Sequence, residues 1–273
     1  MAGKVQFATA NNARIACEVA GQGDPVVLIH GFTLDMSMWE DQMAALASHF
    51  TVIRYDARGF GQSSTPIEQY THHDDLNALL DVLGIPTAHI VGLSMGGGTA
   101  LRFTCVYPHR VRSLIVADST LPGHSMSEET GARLGAVYTS ARESGIDAAR
   151  QTWIAHPLFD ATNENPEVAQ RLAAMVDRYS GWHWLNEEPA AELDPPVTAR
   201  LHQISAPTLV ILGERDIADF HVFARKMADE IPGAEMAVIP DAGHMVNMEA
   251  PEIFNELVVR FLLRQSSPAA ELG

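Results

Sequence analysis

G-L-S-M-G at 92–96, extended by Gly97 and Gly98, lies between an apolar run, A-H-I-V-G at 88–92, that reads as a strand and a run over 95–107 that reads as a helix ending before Pro108. A serine at so sharp a strand-to-helix turn is held in strained backbone, and the residues two before and two after it must be small for strand and helix to approach. Gly92 and Gly96 meet that need. Ser94 is thereby lifted above the carboxyl edge of a sheet, where open α/β folds bind ligands. Without that context the pentapeptide is a glycine-rich turn holding an ordinary serine.

Outward from the turn, strand and helix signals alternate as in a parallel sheet covered on both faces. Strands are predicted at 13–20, 26–30, 51–55, 88–92 and 112–117, with helices at 41–49, 74–83 and 95–107. The alternation resumes with strands at 207–213 and 235–239 and helices near 219–230 and 251–264. From Asp118 to Pro207 run almost ninety residues, against about 2–6 for an ordinary connection. Helical runs at 128–144, 146–155 and 165–179 fill that gap. The expected organisation is an α/β core formed by 1–120 and 201–273 and a helical cap over 121–200.

The chain has 273 residues, 47% apolar and 19% charged, a globular composition. Its net charge of −16 repels phosphate backbones and anionic lipid heads, which argues against nucleic-acid and membrane-surface roles. Cys17 and Cys105 form no disulfide framework or metal-ligand cluster, and both read as small buried residues. The start, M-A-G-K-V-Q-F, lacks an apolar signal region, and no stretch approaches the ~18 apolar residues of a membrane span. A soluble cytoplasmic protein is expected, with a frayed S-S-P-A-A-E-L-G tail.

A nucleophilic serine needs a base, and the base needs an orienting acid. After Ser94, L-G-E-R-D at 212–216 places Asp216 just past a strand, and D-A-G-H at 241–244 places His244 past the final strand. His244 is assigned as base and then acid, and Asp216 as its orienting carboxylate. Glu214 is expected to point elsewhere, and Asp219 to cap the following helix. The oxyanion requires two donors. These are the backbone N–H of Met95 and, from H-G-F-T at 30–33, that of Phe32. His30 is expected to hold the loop by bonding backbone groups.

H-G-F, D-A-R-G-F-G-Q-S at 56–63, G-L-S-M-G-G, the G-E-R-D aspartate and the G-H histidine occur in this order. Over nearly its whole length the chain resembles the α/β-hydrolase superfamily. Within it, the chain is most similar to bacterial carboxylesterases, enol-lactonases and cofactor-free haloperoxidases, with G-L-S-M-G-G especially like 3-oxoadipate enol-lactonases. The resemblance implies a mostly parallel eight-stranded sheet with helices on both faces, a helical cap, and a Ser-His-Asp triad that needs no metal or other cofactor.

The leading reading is hydrolysis of a small carboxylic ester or lactone through an acyl-Ser94 intermediate. A serine at the turn argues against the aspartate-dependent dehalogenases of this fold. H-G-F-T-L-D departs from the H-G-x-G-P-G of most carbon–carbon hydrolases. Perhydrolase or haloperoxidase activity uses the same triad, and a ligand-sensing protein with a slow triad is the alternative from another class. Leu34, Trp153, Trp182 and Trp184 are candidate pocket residues, with Trp39, Tyr138, Tyr179, Phe159 and His183 as further aromatic candidates. Tryptophans at such spacing also supply a helical cap with its own core. Arg133, Arg142, Arg150, Arg171 and Arg178 are either partners for a substrate carboxylate or solvated. The sequence carries no signature of an oligomeric state.

Overall fold

A computed structural model describes residues 4–186 and 193–266. Most of the terminal run read as frayed therefore lies outside the described residues, as does part of the 121–200 segment. Eight strands form one sheet in the order β1-β2-β4-β3-β5-β6-β7-β8. They are β1 (Gln6–Ala10), β2 (Ala13–Gly21), β3 (Pro25–Ile29), β4 (Thr51–Tyr55), β5 (Ala88–Leu93), β6 (Val111–Ala117), β7 (Thr208–Gly213) and β8 (Glu235–Ile239). β1–β2 and β2–β4 pair antiparallel, and the remaining pairs are parallel.

Every residue of β5 and β7 is buried, so the sheet is covered on both faces. One cover pairs α1 (Glu40–Ala47) with α11 (Pro251–Gln265), which follows α10 (Val246–Glu249). Another pairs α2 (His72–Val82) with α3 (Met95–Val106), while α9 (Ala218–Glu230) lies along β7. Thr71 starts α2 by accepting the Asp74 N–H.

β1 has no counterpart among the strands expected from sequence. Asn11 and Asn12, both with left-handed φ (47° and 59°), turn the chain back into β2. Asparagine is among the few non-glycine residues that adopt this region readily, and such a pair is the residue type that two-residue hairpins use.

Between β6 and β7 stand α4 (Glu128–Ser144), α5 (Ile146–Ile154), α6 (Asp160–Glu164), α7 (Pro166–Arg178) and α8 (Trp182–Leu185). Ser127 caps α4 through the Thr130 N–H, and Asn165 caps α7 with Pro166 in its first turn. α7 buries Val168, Leu172, Met175 and Val176, spaced as one helical face. Among the described residues no helix is long and apolar enough to cross a membrane. Cys17 is buried, whereas Cys105 on α3 is only half-buried.

Candidate active site

Ser94 joins β5 to α3 with φ 57° and ψ −118°. A non-glycine residue persists in such backbone only where its surroundings over-determine it. Here the Ser94 N–H donates to Ala117 O on β6 at 3.0 Å, and Ser94 O accepts from the Gly98 N–H at 3.1 Å. A Cβ on Gly92 would fall on the Gly96 carbonyl, and one on Gly96 would fall on the Ile29 carbonyl. Only glycine permits this crossing of strand, turn and helix.

His244 Nε2 lies 2.9 Å from Ser94 Oγ, and its Nδ1 lies 2.8 Å from Asp216 Oδ2. The Asp216 and His244 side chains are almost wholly buried. With the Nδ1 proton donated to Asp216, Nε2 presents a lone pair to the serine hydroxyl. The second Asp216 oxygen accepts the Ile217 N–H at 2.7 Å. The loops carrying the two residues close on each other, since a Cβ on Gly213 would strike the Gly243 carbonyl. Arg215 N–H donates to Ala242 O at 2.8 Å. Glu214 turns away from the histidine and accepts the Asp241 N–H at 3.1 Å.

Asp219 does not cap its own helix. α9 begins at Ala218, so Asp219 falls inside the first turn and its carboxylate reaches the start of α4. There it accepts from the Ser127 N–H (2.6 Å), Ser127 Oγ (2.9 Å) and Thr130 Oγ1 (2.5 Å). Burial alone would raise the Asp219 carboxyl, but the Thr130 and Ser127 donors outweigh it and hold it below its ordinary value.

Asp118 is a neighbour that sequence reading missed. It follows β6 with φ 40° and is buried. Its Oδ1 accepts the Gly213 N–H at 2.8 Å, while Oδ2 is buried without a donor beside Asp216. Burial first, and the Asp216 charge next, raise its carboxyl well above the ordinary carboxylate range. One Asp118 oxygen thus fastens β7 through Gly213, while the other sits unpartnered beside the triad candidate Asp216. Its sequence context, A-D-S after a strand, reads only as a turn.

His30 holds the H-G-F-T loop by two backbone contacts. Its Nε2 accepts the Ala57 N–H at 2.9 Å, and its Nδ1–H donates to Gly31 O at 2.8 Å. Burial is the largest influence on this imidazole and lowers its pKa, which keeps it in the neutral form those two bonds require. Asp56, which opens the D-A-R-G-F-G-Q-S run, accepts the Met36 (2.8 Å) and Gln62 (2.7 Å) N–H groups and ties that run to the same loop. A methyl added to Gly31 would sit 3.5 Å from Ser94 Cβ, so the loop passes directly beside the serine. Met95 occupies the first position of α3, where an N–H has no partner inside the helix.

Two unequal spaces adjoin Ser94. The larger, ≈230 Å³, is walled by Phe32, Met95 and Phe220 from the sheet side. Leu134, Val137 and Tyr138 of α4, together with Trp153, Leu158 and Trp184, close it from the inserted helices. Arg102, Thr120 and Thr130 are the polar residues at its wall besides Ser94. The smaller space, ≈10 Å³, is bounded by Gly31, Phe32, Leu34, Leu93, Trp153, Phe159, His244 and Met245.

Leu34, Trp153 and Trp184 thus stand at the site. Trp182 does not: it is half-buried and sets its ring edge-on to His183, 4.9 Å between centroids. Residues two apart on a helix lie on different faces, so Trp182 and Trp184 cannot both face one cavity. Trp39 is buried against Phe254 of α11, at 6.1 Å. None of the five arginines considered for a substrate carboxylate lines either space. Arg171 and Arg178 instead bind Asp41 and Asp35, joining α7 to the core.

A family model described as the alpha/beta hydrolase fold matches residues 24–251, and the chain belongs to that family. It is 31% identical over 267 residues to the 3-oxoadipate enol-lactonase 2 of Acinetobacter baylyi, across 94% of this chain and 96% of that protein. It is 30% identical to the 2-hydroxy-6-oxononadienedioate/2-hydroxy-6-oxononatrienedioate hydrolase of Comamonas testosteroni, across 92% of each chain. Among solved structures, a thermophilic esterase from Thermogutta terrifontis matches with a TM-score of 0.80 at 30% identity, over 97% of this chain and 100% of that one.

Proposed function

We propose that this protein is a serine hydrolase that cleaves a small carboxylic ester or lactone, with Ser94, His244 and Asp216 as its triad and the inserted helices as its cap. The observation that carries this reading is the continuous chain from Ser94 Oγ through both ring nitrogens of His244 to Asp216, with contacts of 2.9 and 2.8 Å. Ser94 Oγ attacks the carbonyl carbon while His244 Nε2 takes its proton. Asp216 holds the ring orientation and stabilises the imidazolium. The Phe32 and Met95 N–H groups receive the developing oxyanion. As the tetrahedral intermediate collapses, His244 returns its proton to the departing alkoxide. A water deprotonated by His244 then attacks the acyl-serine, releases the acid and restores the serine.

The two spaces shape the substrate. The larger takes one compact, mainly apolar group. The smaller matches about one water molecule, so the substrate carries its bulk on one side of the carbonyl. A lactone or an ester with one short arm fits. The test is a panel of aryl esters of increasing acyl length, simple lactones and dienelactones. Ser94→Ala should lose about 10⁴-fold or more in kcat; turnover at the wild-type rate removes Ser94 from its role. Carbon–carbon hydrolysis is the second reading, favoured by the similarity to the Comamonas testosteroni hydrolase. Turnover of a vinylogous diketone with none of any ester or lactone establishes it instead.

A further inference from the structure

We propose that Trp153, on the inserted helix α5, is a positioning residue for the oxyanion loop and acts through the hydroxyl of Thr33. The inference rests on the reading of Phe32 as an oxyanion donor. Thr33 has φ 65°, a region that a β-branched residue rarely occupies. It is also fully buried, so its hydroxyl must find partners within the protein. It finds two: Thr33 Oγ1 donates to Phe32 O at 2.6 Å and accepts from Trp153 Nε1 at 2.7 Å. An indole nitrogen is a donor only, which fixes the direction of this relay.

The relay holds the peptide on the far side of Phe32. The peptide on its near side is held by His30 Nδ1–H on Gly31 O. In a trans peptide the C=O and the following N–H point in opposite directions, so gripping Gly31 O sets the direction of the Phe32 N–H. With both flanking planes held, the Phe32 backbone has little freedom to turn its N–H away from a substrate. The Phe32 ring adds a third restraint, with edge contacts of 5.8–5.9 Å to Phe60, Trp153, Tyr179 and His183. Three of those four rings belong to the inserted segment. Trp153 therefore reaches Phe32 both through its ring and through Thr33. The inserted helices act on the chemistry as well as on access to it.

Thr33 lines neither space beside Ser94, so its substitution tests positioning without altering substrate contact. In the full chain, Thr33→Val keeps the shape and removes both bonds. Its kcat on the best ester of the panel should fall about tenfold or more, short of the loss from deleting a donor outright. KM should stay within about twofold, and Thr33→Ser, which keeps the hydroxyl, should remain near wild type. Affinity for an aryl boronic acid, which forms a tetrahedral adduct on the serine, should fall in parallel with kcat, while affinity for the product carboxylate stays unchanged. Trp153→Phe removes the indole N–H but also reshapes the cavity wall, so it is read by kcat and boronate affinity, which should fall together whatever happens to KM, and it carries the test if Thr33→Val does not fold. Wild-type kcat in either folded variant, equal impairment of Thr33→Val and Thr33→Ser, or a change in KM alone in Thr33→Val overturns the proposal. Ser94→Ala run alongside separates the two readings. If it is fully active, the site itself has been misread; if it is inactive beside an unimpaired Thr33→Val, only the positioning role falls.

Discussion

The sheet edge and the inserted helices face each other across one cavity, but they are held in place by different means. On the sheet side, backbone bonds dominate. Ser94 N–H is bound to Ala117 O, Asp118 N–H to Ile211 O, and Arg215 N–H to Ala242 O. The glycines at 92, 96 and 213 bring those backbones within reach of one another. The inserted helices are joined to the core largely through side chains, by Asp219 on Ser127 and Thr130, Arg178 on Asp35, Arg171 on Asp41 and Trp153 on Thr33. A backbone ladder is indifferent to most substitutions, whereas a side-chain tie is lost with one. The chemistry is thus tied to topology, and the wall that meets the substrate can be changed piece by piece.

Asp118 is the largest exception on the sheet side, because there a side chain completes the backbone frame. Asp118→Ala leaves the buried Gly213 N–H without its acceptor and removes the buried carboxyl that packs beside Asp216. An unsatisfied buried donor costs about 1–3 kcal/mol, and a small displacement of Asp216 lowers kcat by about tenfold to a hundredfold. Asp118→Asn keeps the acceptor for Gly213 and the shape of the side chain beside Asp216, so it should stay within about threefold of wild type. Steady-state kinetics of the two variants provide the check. Equal loss in both would mean that the site requires the acid itself rather than its hydrogen-bonding pattern.

A smaller effect is expected where a side chain ties the helices down. Asp219→Ala removes three bonds at the start of α4, the helix that supplies Leu134, Val137 and Tyr138 to the cavity wall. Exposed bonds of this kind contribute about 1 kcal/mol in all after exchange with water, which lowers Tm by about 2–4 °C in a chain of this size. KM for the bulkiest substrate should rise while kcat for the smallest holds. A fall in kcat for every substrate would show that α4 reaches the chemistry as α5 does.

The same contrast governs what could be read from the chain. Ser94, Asp216 and His244 were legible as candidates because each follows a strand in an order that one topology brings to one edge. Asp118 was not, because its proximity to Asp216 exists only once β6 lies beside β7. The phase of W-H-W at 182–184 depends on where α8 begins, and a four-residue helix offers no period from which to read it. Asp219 precedes a helical run in sequence, yet its partners lie about ninety residues away in α4. β1 carried its signal in Asn11-Asn12 rather than in its own residues, because an edge strand with only Ala8 and Ala10 buried shows little apolar pattern. Backbone-determined features were legible, and those set by distant side chains were not.

The smallest expected effect asks whether the two regions separate at all. His89, on β5, and His183, on α8, are both buried, and burial is the main reason that each has a pKa lowered to about 4. For His89 the Arg112 charge acts in the same direction and Asp24 opposes it, while for His183 the additional influence is His30. In the unfolded chain both titrate near their ordinary value of about 6.5. Between those values the unfolded chain binds protons that the folded chain does not, so stability is intact above about pH 6.5 and declines as the pH falls toward 4. If sheet and inserted helices unfold as one cooperative unit, His89→Gln and His183→Gln should each flatten the acid decline of Tm by a similar amount. The polar ties and the rings around Phe32 favour that outcome. If the helices come away first, His183→Gln alone should protect activity on acidification, whereas His89→Gln should protect only the later loss of the sheet. Activity and near-UV circular dichroism recorded on the same samples distinguish the two patterns.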